Sequence, residues 1–152
     1  MSQLLVNYGS LESIAVSADS PFTINVRVYY EDTDAGGIVY HTNYLKFMER
    51  ARTEYLRATG YDHQQLLEQQ RLLVVSDARI KFRRPAKLDD LLMVTAKVVE
   101  VRKVKLTFQQ NVYLGNELLC SGEFVVGSID SETMRPAAIT ESLRNKITGV
   151  IN

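Results

Sequence analysis

The spacing of apolar residues changes once along this chain, and the change limits the folds open to it. Within residues 44–58 apolar side chains recur every three or four positions, which predicts a helix of about 16 residues with one apolar face. From Leu72 onward the period is two, which is typical of strands. The predicted strands are Leu72–Phe82, Leu91–Arg102, Lys105–Leu114 and Glu117–Ile129.

The segments around this helix complete the predicted order of elements. Phe22–Tyr30 alternates and is rich in β-forming residues, so it is the first predicted strand. Asp62–Gln70 predicts a short second helix with Asp62 as its N-cap, and Thr42 or Asn43 is expected to cap the long helix. The order is therefore a strand, a long helix, a short helix and four strands in a meander.

One face of the predicted sheet is covered and the other meets water. In Lys105–Leu114 the apolar residues mostly share one face and the polar residues share the other. The pair Gly115-Asn116 then predicts a tight hairpin, and Gly60 suits the C-terminus of the long helix. One helix of that length can cover one face of a strongly curved antiparallel sheet. The predicted fold class is α+β.

Composition indicates one domain, residues 21–152, preceded by a Ser-rich segment 1–20 that is expected to be a flexible extension. Lys and Arg total 18, as do Asp and Glu, and this balance argues against a general nucleic-acid binder. The longest apolar runs have four residues, far short of the roughly 20 that cross a bilayer. The first basic residue is Arg27, which argues against a secretory or transit peptide. A cytoplasmic protein is expected.

Tyr29–His41 carries the clearest chemical signal. A strand-like run stops at acidic residues, crosses a Gly-Gly turn and reaches His41 just before the long helix. Amides at a helix start lack intrahelical partners, and the macrodipole there favours negative charge. A carboxylate, an imidazole and free amides can attack a carbonyl and hold its oxyanion. Spacing alone equally allows Asp34 to be a turn-stabilising residue.

A metal site fits the same segment poorly. Asp32 and Asp34 would point the same way in an extended segment, but no third or fourth oxygen ligand is evident. The single cysteine, Cys120, and two histidines argue against cysteine-rich or histidine-dominated metal sites. Asp32 is expected to support the loop and Glu31 to be solvated.

Two runs, Val28–His41 and Phe47–Glu54, resemble the Tol-Pal-associated acyl-CoA thioesterases, which belong to the 4-hydroxybenzoyl-CoA thioesterase group of hotdog-fold proteins. Arg84–Asp90 resembles a second stretch of that family. The likeness extends roughly from Phe22 to Lys146, with the first run close to letter for letter. It implies a hotdog fold, with one long helix wrapped by a curved antiparallel sheet of about five strands.

The resemblance also assigns roles to residues. It implies that Asp34 is the catalytic carboxylate, as nucleophile or as base for water. It also implies a role for His41, which could orient that carboxylate, assist proton transfer or bind the thioester through its backbone amide. Apart from the resemblance, position at or just before the start of the long helix predicts oxyanion binding or substrate positioning for one set of residues. These residues are Gly36, Gly37, Tyr40, Thr42 and Asn43. Coenzyme A phosphates would meet the basic residues Arg83, Arg84 and Lys87, although a solvated strand end balanced by Asp89 and Asp90 explains the cluster equally well.

The family implies hydrolysis of an acyl-CoA or acyl-carrier thioester without a metal or redox cofactor. It further implies a homodimer, often paired into a homotetramer, with active sites at the subunit interface. Cell-envelope or lipid-synthesis partners follow from the Tol-Pal link. Two alternatives stay open: a hotdog dehydratase acting on hydroxyacyl thioesters, and an acyl-carrier or envelope-associated interaction module with little catalysis.

Other ionisable residues are expected to be structural. Glu49 and Glu54 lie on the long helix, where a related hotdog branch keeps its carboxylate, but each can pair with the arginine three positions on, Arg52 or Arg57. His63 is expected to be a structural residue beside an N-cap. Cys120 is expected to be a strand residue and not a nucleophile.

Overall fold

The computed structural model describes residues 20–151, with side chains through Ile147. Residues 1–19 of the predicted extension lie outside the described residues. A short 3₁₀ turn at Tyr30–Asp32 ends the first strand earlier than predicted. In chain order the elements are β1 Phe22–Arg27, α1 Thr42–Ala58, α2 His63–Glu68, β2 Arg71–Phe82, β3 Leu91–Val101, β4 Lys105–Leu114, β5 Glu117–Asp130 and α3 Glu141–Ile151.

The five strands form one antiparallel sheet in the order β1-β3-β4-β5-β2. β2 pairs with β5, with Phe82 opposite Cys120 and Arg71 opposite Asp130. The predicted four-strand meander is therefore wrong: β3, β4 and β5 form a meander, but β2 crosses to its far edge. Alternation assigns side chains to the two faces of a strand and leaves its neighbours undetermined, because pairing depends on contacts distant in sequence. The α+β class and the five strands are confirmed.

The core lies between α1 and the inner face of the sheet. Leu106, Phe108 and Val112 of β4 are buried, whereas Thr107 and Asn111 on its other face are half-buried. This confirms the predicted division between a covered face and a wetter one. From α1 the largest buried contributions are Phe47, Met48 and Tyr55. Burying each such side chain contributes roughly 1.5–3 kcal/mol to folding.

Two helix boundaries test the capping predictions. Asp62 caps α2 as predicted, because its carboxylate accepts a hydrogen bond from the Gln65 amide and the Asp62 amide donates one to the side-chain oxygen of Gln65, both at 2.9 Å. The predicted cap of α1 is wrong. His41 occupies the N-cap position without a side-chain cap bond, and Thr42 and Asn43 lie inside the helix. The Asn43 side chain donates to a loop carbonyl instead, as described below.

The C-terminal helix α3 was not predicted. Leu143 and Ile147, four residues apart, are buried on one side of it, and α3 packs against β3. The sequence carries a helical signal here that sequence reasoning missed, since Leu143, Ile147, Val150 and Ile151 recur at helical spacing. None of the helices described over residues 20–151 is long and apolar enough to cross a membrane.

Tyr55 offers a test of the core. Its hydroxyl is buried without a hydrogen-bond partner among the described residues, and burial raises the pKa of Tyr55 to about 12. We expect Tyr55→Phe to raise the free energy of unfolding in urea by about 1 kcal/mol, because it removes an unsatisfied polar group.

Tyr44→Phe is the matched control for Tyr55→Phe. The Tyr44 hydroxyl accepts a hydrogen bond from the buried Ala86 amide at 3.0 Å. Its removal should lower the free energy of unfolding by about 1–2 kcal/mol. Equal destabilisation of both variants would show that the Tyr55 hydroxyl has a stabilising partner.

Candidate active site

Asp32 fastens the acidic loop to the start of α1. Its carboxylate accepts a hydrogen bond from the Tyr29 amide at 2.8 Å and closes the 3₁₀ turn. Its carbonyl accepts two more, from the Tyr40 amide and from the Asn43 side chain, both at 2.9 Å. The supporting role predicted for Asp32 is therefore confirmed by its contacts.

Asp34 lies on a tight turn in which the chain folds back on itself. Thr33 and Val39 pair as an antiparallel bridge, and the Asp34 amide donates to the Ile38 carbonyl at 2.9 Å. One carboxylate oxygen, Oδ1, accepts from the Gly36 amide at 2.8 Å. Oδ2 accepts no hydrogen bond from the described residues, and the side chain is exposed. Asp34 thus stabilises a turn and still presents a free carboxylate oxygen.

Glycine is required in this turn for two different reasons. Gly37 has φ +80°, a conformation that side chains disfavour. A Cβ on Gly36 would lie 3.2 Å from Asp34 Oδ1. The Gly-Gly pair therefore allows both the reversal of the chain and the hydrogen bond that orients the carboxylate.

Gly36→Ala tests that orientation. We expect kcat/KM for the thioester hydrolysis that the resemblance implies to fall roughly tenfold to a hundredfold, because the new methyl group would displace the carboxylate that is predicted to react. Ala35→Ser, which adds one atom to the neighbouring exposed side chain, should stay near the wild-type value. A folded Gly36→Ala protein with unchanged kcat/KM would show that this contact does not orient Asp34 for reaction.

The amides at the start of α1 differ from one another in their availability. The Tyr40 amide donates to Asp32, and the Asn43 amide donates to the Tyr40 carbonyl at 2.8 Å. These two predicted oxyanion donors are therefore occupied. The amides of His41 and Thr42 donate to no acceptor among the described residues. The available donors are thus the backbone amides of Thr42 and His41, both of which were among the predicted possibilities.

His41 projects from the N-cap of α1 into an aromatic cluster. The centroid of its ring lies 4.7 Å from that of Tyr40 and 6.0 Å from that of Phe82. It makes no hydrogen bond to Asp34 within the described part of the chain. Phe82 also lies 5.7 Å from Tyr44, centroid to centroid. Sequence reasoning missed Phe82 and the hydroxyl of Tyr44, since their positions here depend on tertiary contacts.

The loop between β2 and β3 lies directly against the Asp34 turn. Ile38 pairs with Lys87 as an antiparallel bridge, and the Val39 amide donates to the Ala86 carbonyl at 2.9 Å. Two motifs some 50 residues apart in sequence therefore meet at one place. Hence the loop brings exposed cationic side chains to the rim of the Asp34 site.

The three predicted phosphate-binding residues are differently engaged. The Arg84 guanidinium pairs with Glu117 at 2.8 Å, an ion pair that sequence reasoning missed. Arg83 and Lys87 are exposed, and their cationic groups have no carboxylate within 4 Å among the described residues. Asp90 accepts from the Lys87 amide at 2.9 Å, so it supports the loop backbone.

The contacts of the remaining ionisable residues on α1 and α2 test their predicted structural roles. Glu54 pairs with Arg57 at 3.8 Å, as predicted. The predicted pairing of Glu49 with Arg52 is wrong, because the Arg52 guanidinium turns inward and donates to Gln110 at 2.8 Å. His63 follows the α2 N-cap.

Cys120 is buried in β5, and burial raises the pKa of its thiol to about 12. A protonated, inaccessible thiol is a poor nucleophile. The predicted role of Cys120 as a strand residue is therefore supported.

Comparison with known proteins identifies relatives of the whole domain. Residues 28–147 match the thioesterase-like superfamily. The acyl-CoA thioesterase YbgC of Haemophilus influenzae is 46% identical over 127 residues, covering 83% of this chain and 93% of that protein. The acyl-CoA thioester hydrolase YbgC of Escherichia coli O6:H1 is 41% identical over 119 residues, covering 78% and 89%. A probable thioesterase from Bartonella henselae superposes with a TM-score of 0.76 at 31% identity, covering 80% of this chain and all of the other.

Proposed function

Because the chain belongs to the thioesterase-like superfamily, we propose that it hydrolyses acyl-CoA thioesters to a free acid and coenzyme A. The hotdog fold that the sequence motifs imply is confirmed by the sheet around α1 and by this membership. One observation carries the proposal most directly. Asp34 presents a free carboxylate oxygen on a turn bonded to the start of α1, where two amides are unoccupied.

The chemistry needs a new bond from oxygen to the acyl carbon and cleavage of the carbon–sulfur bond. Asp34 either removes a proton from water as that water attacks, or attacks the carbonyl itself to form an anhydride that water then cleaves. Both routes consume one water and yield an acid and a thiol. A thiolate is a good leaving group, so the proposed reaction uses no metal or redox cofactor. The departing thiolate takes up a proton, and we assign assistance in that proton transfer to His41.

Amides at the start of α1 stabilise the developing oxyanion. The His41 and Thr42 N–H groups are unoccupied, and the positive end of the helix dipole favours negative charge at the same place. Tyr40 and Asn43 hold the loop on the helix through Asp32. Gly36 and Gly37 keep the turn narrow enough for Asp34 to approach the substrate.

Coenzyme A is proposed to bind along the loop between β2 and β3. Arg83 and Lys87 are exposed cations beside the Asp34 turn, and cationic side chains suit phosphates. Arg84 contributes to the same positive surface while paired with Glu117. We propose an acyl-CoA as substrate, and an acyl-carrier thioester would present the same reacting group.

A homodimer is proposed from the exposed edge of β2. In the described chain β2 pairs only on its β5 side, and apolar Val75 and Phe82 are each 48% exposed. A second copy placed along this edge would cover both side chains and bring two Asp34 sites to one interface. Pairing of dimers into a tetramer belongs to the same proposal. A monomeric mass by light scattering at micromolar concentration would contradict it.

Finer placement within the superfamily is proposed from the motifs. Val28–His41 supports the Tol-Pal-associated group and, with it, envelope or lipid-synthesis partners. Membership of the 4-hydroxybenzoyl-CoA thioesterase group rests on the same run. The cytoplasmic location stays a prediction.

An assay with one substrate distinguishes the hydrolase activity from the dehydratase activity. A hydroxyacyl-CoA whose hydroxyl is β to the carbonyl can lose either coenzyme A or water. We expect free thiol to appear without an enoyl absorbance. Enoyl formation without thiol would establish the dehydratase alternative, and neither product would favour an interaction module.

A further inference from the structure

The loop between β2 and β3 is fastened to the rest of the molecule through the backbone of Ala86, which is fully buried. The Ala86 amide donates to the Tyr44 hydroxyl at 3.0 Å. The Ala86 carbonyl accepts a hydrogen bond from the Val39 amide at 2.9 Å. One loop residue is therefore bonded both to α1 and to the turn that carries Asp34.

The Tyr44 side chain is well placed to anchor this loop. Tyr44 is 3% exposed, and the centroid of its ring lies 6.2 Å from that of Phe47 and 5.7 Å from that of Phe82. These aromatic contacts, one with α1 and one with β2, fix the orientation of the ring and thus the position of its hydroxyl. A buried amide without an acceptor is costly, so the loop would have to shift if the hydroxyl were removed.

Lys87 is the cation that lies next to this anchor. It follows Ala86 directly, and its backbone pairs with Ile38 as an antiparallel bridge. The Lys87 amide also donates to the Asp90 carboxylate at 2.9 Å. The exposed ammonium group has no carboxylate within 4 Å among the described residues. A free cation on a fixed backbone is preorganised to bind an anion.

The two neighbouring arginines are positioned by a different part of the molecule. The amides of Arg83 and Arg84 both donate to the Leu119 carbonyl of β5, at 2.8 and 3.1 Å. The sheet therefore holds these two residues. Of the three predicted phosphate-binding residues, Lys87 is the one whose backbone adjoins the hydrogen bond to Tyr44.

We propose that Tyr44 is a positioning residue for coenzyme A, because its hydroxyl holds the loop so that Lys87 meets a phosphate of the nucleotide. The inference rests on the proposed hydrolysis of acyl-CoA and deepens it. Asp34 keeps its own hydrogen bonds to Gly36 and Ile38, which do not involve Tyr44. Loss of the hydroxyl should therefore weaken binding of the phosphates and leave the chemical step unchanged.

The test compares an acyl-CoA with the acyl-pantetheine that carries the same acyl group and no phosphate. We expect wild type to show a kcat/KM at least about tenfold higher for acyl-CoA. Tyr44→Phe, which keeps the aromatic ring, should lower this ratio about fivefold through a higher KM for acyl-CoA. Its kcat, and both constants for acyl-pantetheine, should stay within about twofold of wild type.

A second variant and two controls make the comparison specific. Lys87→Met should lower the ratio by a similar factor, and the double variant should lower it no further, because both changes remove one contact. Tyr55→Phe removes a buried hydroxyl elsewhere in the core, and Lys97→Met removes an exposed lysine from β3. Both controls should keep the wild-type ratio.

The outcomes distinguish failure of the inference from failure of the proposed function. A wild-type ratio near one would overturn the inference, as would an unchanged ratio in Lys87→Met, whether or not Tyr44→Phe folds. Equal losses on both substrates in folded Tyr44→Phe would show that Tyr44 supports the Asp34 site instead. Separate losses that multiply in the double variant would also overturn the inference. Absence of thiol from both substrates would contradict acyl-CoA hydrolysis itself and the inference with it.

Discussion

Asp34→Asn should lower kcat for thioester hydrolysis by roughly a hundredfold to ten-thousandfold, the usual contribution of a general base or nucleophile. An amide neither accepts a proton from water at neutral pH nor attacks a thioester. The fold should be unaffected, because the Asn oxygen can still accept the hydrogen bond that the Gly36 amide donates to Asp34 Oδ1. Free-thiol release and circular dichroism on the same preparation measure the two expectations together.

Glu31→Gln is the matched control for Asp34→Asn. Glu31 is an exposed carboxylate three residues earlier in the same loop, and the variant removes the same charge. We expect it to retain kcat within about twofold, since a solvated carboxylate contributes little. Asp34→Asn turnover within tenfold of wild type would remove Asp34 from the catalytic role.

Gln110→Leu should lower the free energy of unfolding by roughly 1.5–3 kcal/mol, because Arg52 loses a hydrogen bond between its charged guanidinium and a buried amide oxygen. The substitution also leaves the Thr95 and Met48 carbonyls without the amide that reaches both of them. Arg52 would keep its contact with the Phe124 ring but would have no acceptor among the described residues. Urea denaturation of wild type and variant gives the difference.

Gln109→Leu provides the comparison at the adjacent position of β4. Gln109 is half-buried on the opposite face and hydrogen-bonds Asn111 at 2.9 Å. Its loss should cost no more than about 1 kcal/mol. Similar costs for the two leucine variants would show that the buried network around Arg52 contributes no special stability.

Much of the fold could be predicted because local pattern determines local structure. The apolar positions of α1 and the alternation along β4 each reflect one buried face. The order of the strands could not be obtained in this way. β2 follows α2 in sequence but pairs with β5, at the far edge of the β3–β5 meander. No local pattern specifies that partner.

In the candidate site, too, features formed by contiguous residues could be predicted, and contacts between distant segments could not. The motif that contains Asp34 is contiguous, so its carboxylate, turn and helix start could be predicted together. The bridge between Ile38 and Lys87 joins distant segments, and only the fold brings them together. Arg52 shows the same limit, because helix spacing favours Glu49 as its partner whereas the sheet supplies Gln110. Arg52 therefore forms its hydrogen bond with buried Gln110 and not an ion pair with Glu49 on the surface of α1.

The most direct measurement is free-thiol release by the wild-type protein from acyl-CoAs that range from short aliphatic to long-chain and aromatic. If Asp34 and the free amides at the start of α1 catalyse hydrolysis, at least one acyl-CoA should release free thiol together with an equal amount of free acid. A folded protein that releases no thiol from any acyl-CoA would contradict the proposed function.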